Sequence, residues 1–179
     1  NIGTEMFKLC KPLEMNFIAY DPYIEKKIAS ESGVELVDLS AVFKRSDFLA
    51  LNIPLTEETR HIVNGPRLSL MKPSAYLINT SRGPIVDQEA LVDALTNKVI
   101  AGAALDVFDP EPPKIGDPIL EFDNVILTPH SICWTDQCFA NIGASDIEQV
   151  LDFKRGNLPS FLVDPRVKEH PIFQASLSK

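Results

Sequence analysis

Two side chains that could exchange a proton, Glu111 and His130, stand in stretches that would hold them rigidly. Glu111 lies among prolines in ALDVFDPEPP at residues 104–113, and His130 ends ILTPH at residues 126–130. Proline fixes φ and removes a backbone donor, so the sequence predicts a stiff loop around the carboxylate. Imidazole titrates near neutral pH and can act as a general acid or base. The alternatives are a solvent-facing loop acid and a histidine that only caps the end of a strand.

A third candidate, Arg82, follows the apolar run AYLINTS at residues 75–81 and precedes Gly83-Pro84. The planar guanidinium of arginine can bind a carboxylate through two parallel hydrogen bonds and polarise a neighbouring carbonyl. Arg82 would therefore suit the binding of an acidic substrate at the end of a strand. The alternative is a surface arginine in a turn.

The elements that must position these residues are strands and helices in alternation. Near-continuous apolar runs predict strands covered on both faces, as in a parallel sheet, at residues 16–21, 46–54, 75–81, 100–108 and 124–130. Helical patterns occupy residues 4–13, 23–32, 65–71, 87–97 and 134–155. Asp87 is the expected N-cap of the fourth helix. The β-α-β order predicts an α/β fold with a doubly wound parallel sheet.

Such a sheet binds ligands outside the carboxyl ends of its strands. The polar residues of interest lie at or just past such ends: Asp21, residues 79–82, Asp106, Glu111 and His130. The start of the chain adds a weak nucleotide signal, because NIG at residues 1–3 is typical of a glycine-rich turn that leads into a helix. Asp21 follows Gly3 by 18 positions, close to the spacing between a dinucleotide fingerprint and its ribose-binding acid. The alternative is a capped helix and a surface acid before a turn.

Taken together, these stretches resemble the D-isomer-specific 2-hydroxyacid dehydrogenase family. The motifs that carry the resemblance occur in the family's order and cover nearly the whole chain: NIG at 1–3, YDP at 20–22, NIPLTEETRHIVN at 52–64, MKPSAYLINTSRGPIVDQEALVDAL at 71–95, AGAALDVFDPEPP at 101–113 and NVILTPH at 124–130. The resemblance implies a Rossmann-type NAD-binding domain over residues 1–150, without its first strand and the start of its glycine loop. Residues 151–179 would then return to a flavodoxin-like substrate domain.

The resemblance implies an NAD-dependent oxidoreductase that interconverts a D-2-hydroxy acid and its 2-keto acid. Arg82 would bind and polarise the substrate, His130 would exchange the proton, and Glu111 would stabilise the charged imidazole. The cofactor-binding residues would be Asn1, Ile2, Gly3, Asp21, Ile53, Pro54, Thr59, Thr80, Ser81, Arg82, Asp106 and His130. Asp21 would accept hydrogen bonds from the ribose diol and repel a 2′-phosphate, which favours NAD(H) over NADP(H).

The composition of the chain argues against several other classes of partner. The formal net charge of −8 argues against a nucleic acid or an anionic membrane as partner. No apolar run approaches the roughly 18–20 residues that span a bilayer. The three scattered cysteines, Cys10, Cys133 and Cys138, are typical of reduced thiols in a cytoplasmic protein, and we expect no metal site.

Several alternatives remain open from the sequence. The substrate could be that of a glyoxylate/hydroxypyruvate reductase or of a phosphoglycerate dehydrogenase. Cys133 and Trp134, where many relatives carry small residues, could narrow the substrate pocket or only seat the last long helix. A different class of function is an NAD(H)-sensing protein like the corepressors of this family, and a third is a non-catalytic fragment. By analogy with relatives, we expect a homodimer formed through the nucleotide domain.

Overall fold

The computed structural model describes residues 2–177, and all of their side chains except those of residues 26, 172, 176 and 177. The chain divides into two compact units, Asn1–Ile132 and Cys133–Lys179. The sequence predicts that the NAD-binding domain ends at residue 150. This domain boundary stays a prediction.

The first unit contains parallel strands in two sheets. The strands are β1 (Phe17–Ala19), β2 (Val34–Leu36), β3 (Phe48–Leu51), β4 (Tyr76–Asn79), β5 (Gly102–Leu105) and β6 (Val125–Leu127). β1 pairs with β2, and the other four pair in the order β3-β4-β5-β6. All of these pairs are parallel. The predicted α/β fold with parallel strands is thus confirmed, although no strand in the described residues pairs with both β1 and β3 to join the sheets.

Helices connect and follow the strands. They are α1 (Ile2–Cys10), α2 (Lys26–Glu31), α3 (Leu39–Arg45), α4 (Gly65–Leu68), α5 (Gln88–Thr96), α6 (Asp136–Lys154) and α7 (Pro171–Leu177). Short 3-10 turns cover Lys11–Leu13, Gly83–Ile85, Pro118–Glu121 and Pro165–Glu169. α6 and α7 belong to the second unit.

Side-chain caps fix where several helices begin. The predicted cap Asp87 accepts a hydrogen bond from the Ala90 N–H at 3.2 Å, and α5 begins at the next residue. α2 begins later than predicted because the Asp21 carboxylate accepts hydrogen bonds from the Tyr23 and Ile24 N–H groups, which fold that stretch into a turn instead of a helix.

The hydrophobic core lies between the four-stranded sheet and the helices that flank it. Its fully buried side chains come from strands, helices and loops alike, and include Val63, Leu68, Leu77, Ile85, Leu91, Ile100 and Ile119. This core gives the carboxyl ends of β4, β5 and β6 a rigid base, because close-packed interiors move little.

Two further structural findings concern the described residues. None of the helices that they form is long and apolar enough to cross a membrane. Cys10, Cys133 and Cys138 are free thiols.

Candidate active site

Arg82, Glu111 and His130 follow three neighbouring strands. Arg82 lies in the turn after β4, Glu111 in the loop after β5, and His130 just after β6. Since β4, β5 and β6 are adjacent and parallel, their carboxyl ends share one edge of the sheet. The structure therefore brings the three predicted catalytic residues to the same edge.

Glu111 and His130 are in direct contact. Nδ1 of His130 lies 2.5 Å from Oε1 of Glu111, and Oε2 of Glu111 accepts a hydrogen bond from the Phe108 N–H at 3.1 Å. The hydrogen bond from His130 holds the pKa of Glu111 below its usual value against the effect of partial burial, and the Phe108 N–H and the charges of His130 and Arg82 act in the same direction. Glu111 is accordingly ionised at neutral pH.

This contact assigns the two nitrogens of the imidazole. An ionised carboxylate only accepts hydrogen bonds, so Nδ1 of His130 must carry a hydrogen. Nε2 is then the nitrogen that can take up or release a proton. The His130 side chain is 44% exposed, so a small molecule can reach the imidazole ring.

The segment that carries His130 is held by Asp106, at the end of β5. The buried Asp106 carboxylate accepts hydrogen bonds from Oγ1 of Thr128 at 2.6 Å, from the Ser131 N–H at 2.9 Å and from the Ile132 N–H at 3.3 Å. Burial disfavours the charged carboxylate, yet these hydrogen bonds outweigh it, so the pKa of Asp106 lies below its usual value. The sequence did not predict this clamp on both sides of His130, and the predicted contact of Asp106 with the cofactor stays a prediction.

Arg82 lies in a turn that is fixed by the buried side chain of Asn79. The Asn79 amide donates to the Arg82 carbonyl at 3.0 Å, and the Asn79 side-chain oxygen accepts from the Ser81 N–H at 3.1 Å. Oγ of Ser81 donates to the Leu51 carbonyl at 2.6 Å, which ties the turn to the end of β3. Asn79 is among the polar residues that the sequence places at strand ends, but its role in fixing the Arg82 turn was not predicted.

The exposed guanidinium of Arg82 donates from Nη1 to the Ser81 carbonyl at 2.6 Å. In the described part of the chain its Nε and Nη2 groups have no hydrogen-bond partner and can bind another molecule. The charge of Arg82 also lowers the pKa of Glu111, so the guanidinium and the carboxylate are electrostatically coupled.

Gly83 joins the Arg82 turn to the Glu111 loop by close backbone packing. A Cβ at Gly83 would lie 1.7 Å from the Phe108 carbonyl oxygen and 2.1 Å from its carbon. Only a residue without a side chain permits this approach. The turn after β4 and the loop after β5 are thus in contact through their main chains.

The predicted cofactor residues are more dispersed. Ile2 and Gly3 form the first turn of α1, and Asn1 lies outside the described residues. A Cβ at Gly3 would lie 3.7 Å from Cβ of Asn52, so α1 begins close to the end of β3, beside the predicted Ile53 and Pro54. Asp21 follows β1, in the two-stranded sheet.

Thr59, Thr80 and Ser81 complete the predicted set. Oγ1 of Thr59 donates to the Pro54 carbonyl at 2.7 Å and accepts from the Thr56 N–H at 2.7 Å, which closes the loop after β3. Thr80 is exposed next to the Arg82 turn. The roles of these residues toward a cofactor stay predictions. Among the described residues, no three His, Cys, Asp or Glu side chains form a group that could hold a metal ion.

Parallel strands with flanking helices, and polar residues gathered at the carboxyl ends of the strands, define a Rossmann-type nucleotide-binding domain. The chain belongs to the family described as D-isomer specific 2-hydroxyacid dehydrogenase, NAD binding domain, whose model matches residues 1–131. NAD is accordingly the cofactor of this domain.

Named relatives agree with this family. The chain is similar to D-3-phosphoglycerate dehydrogenase of Methanocaldococcus jannaschii, with 44% identity over 173 residues that make up 96% of this chain and 33% of the relative. It is also similar to glyoxylate reductase of Korarchaeum cryptofilum, with 40% identity over 166 residues that make up 93% of this chain and 50% of the relative.

A solved structure is similar as well. The NAD-complexed D-isomer specific 2-hydroxyacid dehydrogenase of Lactobacillus delbrueckii ssp. bulgaricus superposes with a TM-score of 0.82 at 30% identity, covering 91% of this chain and 53% of that chain. The chain thus spans between a third and about half the length of these proteins.

Proposed function

We propose that the protein is an NAD-dependent oxidoreductase that interconverts a D-2-hydroxy acid and its 2-keto acid. The observation that carries the proposal is the contact of His130 with Glu111 at 2.5 Å, next to the turn that presents Arg82. A positioned base, its carboxylate partner and a cation for the substrate's carboxylate are what this reaction needs. The family and the relatives support the same reaction class.

The cofactor site fits NAD in its donor and acceptor groups. Oδ1 of Asp21 accepts two backbone hydrogen bonds, while Oδ2 accepts none from the described residues and is free for a ribose diol. The first turn of α1, a helix of 9 residues, offers N–H groups to a pyrophosphate. When bound, NAD supplies the acceptor for the hydride that leaves the hydroxy acid.

The protein's own residues bind the substrate and move its proton. Arg82 binds the substrate carboxylate through its Nε and Nη2 groups, which no described residue occupies. This orients the neighbouring hydroxyl or carbonyl toward His130. Nε2 of His130 takes the hydroxyl proton during oxidation and returns a proton to the carbonyl oxygen during reduction. Glu111 keeps the hydrogen on Nδ1 and stabilises the imidazolium that forms.

The first test is the reduction of 2-keto acids by the whole protein, followed as oxidation of NADH with glyoxylate, hydroxypyruvate or pyruvate. Arg82→Lys keeps the charge and removes the planar fork, so we expect the KM for the keto acid to rise about tenfold or more. The KM for NADH should change much less than the KM for the keto acid. The control is Arg45→Lys, a surface arginine paired with Glu35, which should behave as wild type. NADH binding without turnover on any of these acids would contradict the proposal and favour a nucleotide-sensing protein.

Cofactor choice gives a second test, which concerns Asp21. We expect wild type to prefer NADH, because the Asp21 carboxylate would repel the 2′-phosphate of NADPH. Asp21→Asn keeps the oxygen that accepts from Tyr23 and Ile24 but removes the charge, so the ratio of kcat/KM for NADPH to that for NADH should rise about tenfold. Glu31→Gln, the same change of charge on α2, should leave the ratio unchanged. A wild-type preference for NADPH would contradict the proposed role of Asp21 in cofactor choice.

Two finer proposals rest on the family resemblance and on composition. We propose that the protein works as a homodimer, which sedimentation of the whole protein would test. We also propose a cytoplasmic location, because the cysteines of the described residues are unpaired thiols.

A further inference from the structure

Gln88, the first residue of α5, bridges the two ends of the loop that carries Glu111. Its Oε1 accepts a hydrogen bond from the Asp109 N–H at 3.2 Å, and its Nε2 donates to Oδ2 of Asp117 at 2.9 Å. Asp109 and Asp117 lie on either side of Glu111 along the chain. One side-chain amide thus closes the segment 109–117, which we call the Glu111 loop.

Gln88 is anchored in the rigid part of the first unit. It follows the cap residue Asp87, whose N–H donates to the Val63 carbonyl at 2.8 Å and whose carboxylate caps α5. At the far end of the loop, Oδ1 of Asp117 accepts from the N–H of the fully buried Ile119 at 3.1 Å. The bridge therefore connects the Glu111 loop to the core at both ends.

The bridge reaches Glu111 through one residue, Phe108. Oε2 of Glu111 accepts from the Phe108 N–H, and the next N–H along the chain, that of Asp109, donates to Gln88. If Gln88 is lost, the Asp109 end of the loop loses its side-chain acceptor, and the peptide that orients the Glu111 carboxylate is freer to move. The charged groups that face Glu111 are His130 and Arg82, and Asp106 faces His130 from the end of β5.

We propose that Gln88 is a positioning residue of the active site: by closing the Glu111 loop it holds the Glu111 carboxylate in contact with Nδ1 of His130. The inference rests on the proposed function for its effect on turnover, but not for its effect on Glu111. Gln88 itself makes no contact with Arg82, Glu111 or His130 among the described hydrogen bonds. A residue that acts in this way changes kcat through Glu111 and leaves cofactor binding unchanged.

The main test compares Gln88→Ala in two backgrounds of the whole protein. In wild type, we expect kcat to fall about tenfold, below the roughly 10²-fold that a misplacement of about 1 Å can cost, with the KM for NADH unchanged. In Glu111→Gln, the further substitution Gln88→Ala should cost almost nothing, because residues that act through one contact are not additive. An equal loss of kcat in both backgrounds would overturn the proposal and show that Gln88 only stabilises the fold.

A second readout needs no turnover. NMR titration of the Glu111 side-chain carboxyl should show its pKa rising toward the usual value in Gln88→Ala, because the hydrogen bond from His130 is the main cause that lowers it. An unchanged titration would overturn the proposal. If the titration shifts in a protein that reduces no keto acid, the proposed function fails while the positioning role stands.

A pair of compensating substitutions at Gln88 and Asp117 tests the bridge even if Gln88→Ala fails to fold. Gln88→Glu sets a carboxylate against Asp117 and should shift the Glu111 titration as Gln88→Ala does. Adding Asp117→Asn restores a donor and an acceptor across the bridge and keeps the oxygen that caps Ile119, so the titration should return toward wild type. Failure of this rescue would count against the bridge. Glu89→Gln, an exposed neighbour on α5, is the matched control and should change neither readout.

Discussion

Replacing His130 by asparagine is expected to lower kcat by at least 10²-fold, and by up to about 10⁴-fold, the range for loss of a positioned general acid or base. This corresponds to about 3–5 kcal/mol of barrier. Asparagine suits the position because His130 has a φ of 53°, in the left-handed region that asparagine tolerates. The backbone, and with it the clamp from Asp106, should survive, so the loss can be assigned to the imidazole. An asparagine amide has no nitrogen that can take up and return a proton near neutral pH.

The chain offers a matched control for this substitution. His61 also has a positive φ, of 50°, and its ring only approaches Asp109, at 4.0 Å. His61→Asn should therefore keep wild-type kcat and bind NADH as wild type does in a fluorescence titration. In His130→Asn, any loss of NADH affinity should be much smaller than the loss of kcat. A loss of less than tenfold in His130→Asn would contradict the role of His130 as the group that exchanges the proton.

Most of the sheet could be predicted from sequence because its strands lie in near-continuous apolar runs. The expected burial of every strand on both faces does not hold, since Phe48, Tyr76 and Ile126 are exposed. β3, β4, β5 and β6 each lie inside a predicted apolar run, and so does β1. β2 was missed because its three residues, Val34–Leu36, include a glutamate and make no apolar run. α3 was missed as well: its boundary depends on the Asp38 cap, which accepts from the Ala41 N–H at 2.7 Å, and the helix has only 7 residues. In these two segments the apolar pattern is too short to indicate the element by itself.

The sequence predicts which residue types form the site, but not the hydrogen bonds that hold them in place. The motifs predicted Arg82, Glu111 and His130 as site residues. The fold brings them together because the carboxyl ends of adjacent parallel strands lie at one edge of the sheet. The clamp by Asp106 and the bridge by Gln88 depend on hydrogen bonds between segments about 20 or more positions apart. Such contacts depend on the exact approach of loops, which residue spacing does not encode.

The second large effect concerns Gly83, whose replacement by alanine should disrupt the contact between the Arg82 turn and the Glu111 loop. The added Cβ would lie 1.7 Å from the Phe108 carbonyl oxygen, far inside any van der Waals distance. The obstacle is main chain, which cannot rotate away as a flexible side chain can. Either the turn moves, which separates Arg82 from Glu111, or the strained contact destabilises the whole unit.

Both outcomes are measurable in Gly83→Ala. We expect kcat/KM to fall by about 10²-fold or more, because a shift near 1 Å in a substrate-binding group has that effect, and the free energy of unfolding in urea to fall by about 1–3 kcal/mol or more, as for an overpacked core. Gly143→Ala is the control: it lies in α6, and its added Cβ meets nothing within 4 Å. There alanine should raise stability slightly, since it favours helix over glycine by about 1 kcal/mol. If Gly83→Ala unfolded at the wild-type midpoint and kept its activity, the two main chains could not be packed as described, and the link between Arg82 and the His130–Glu111 pair would lose its structural basis.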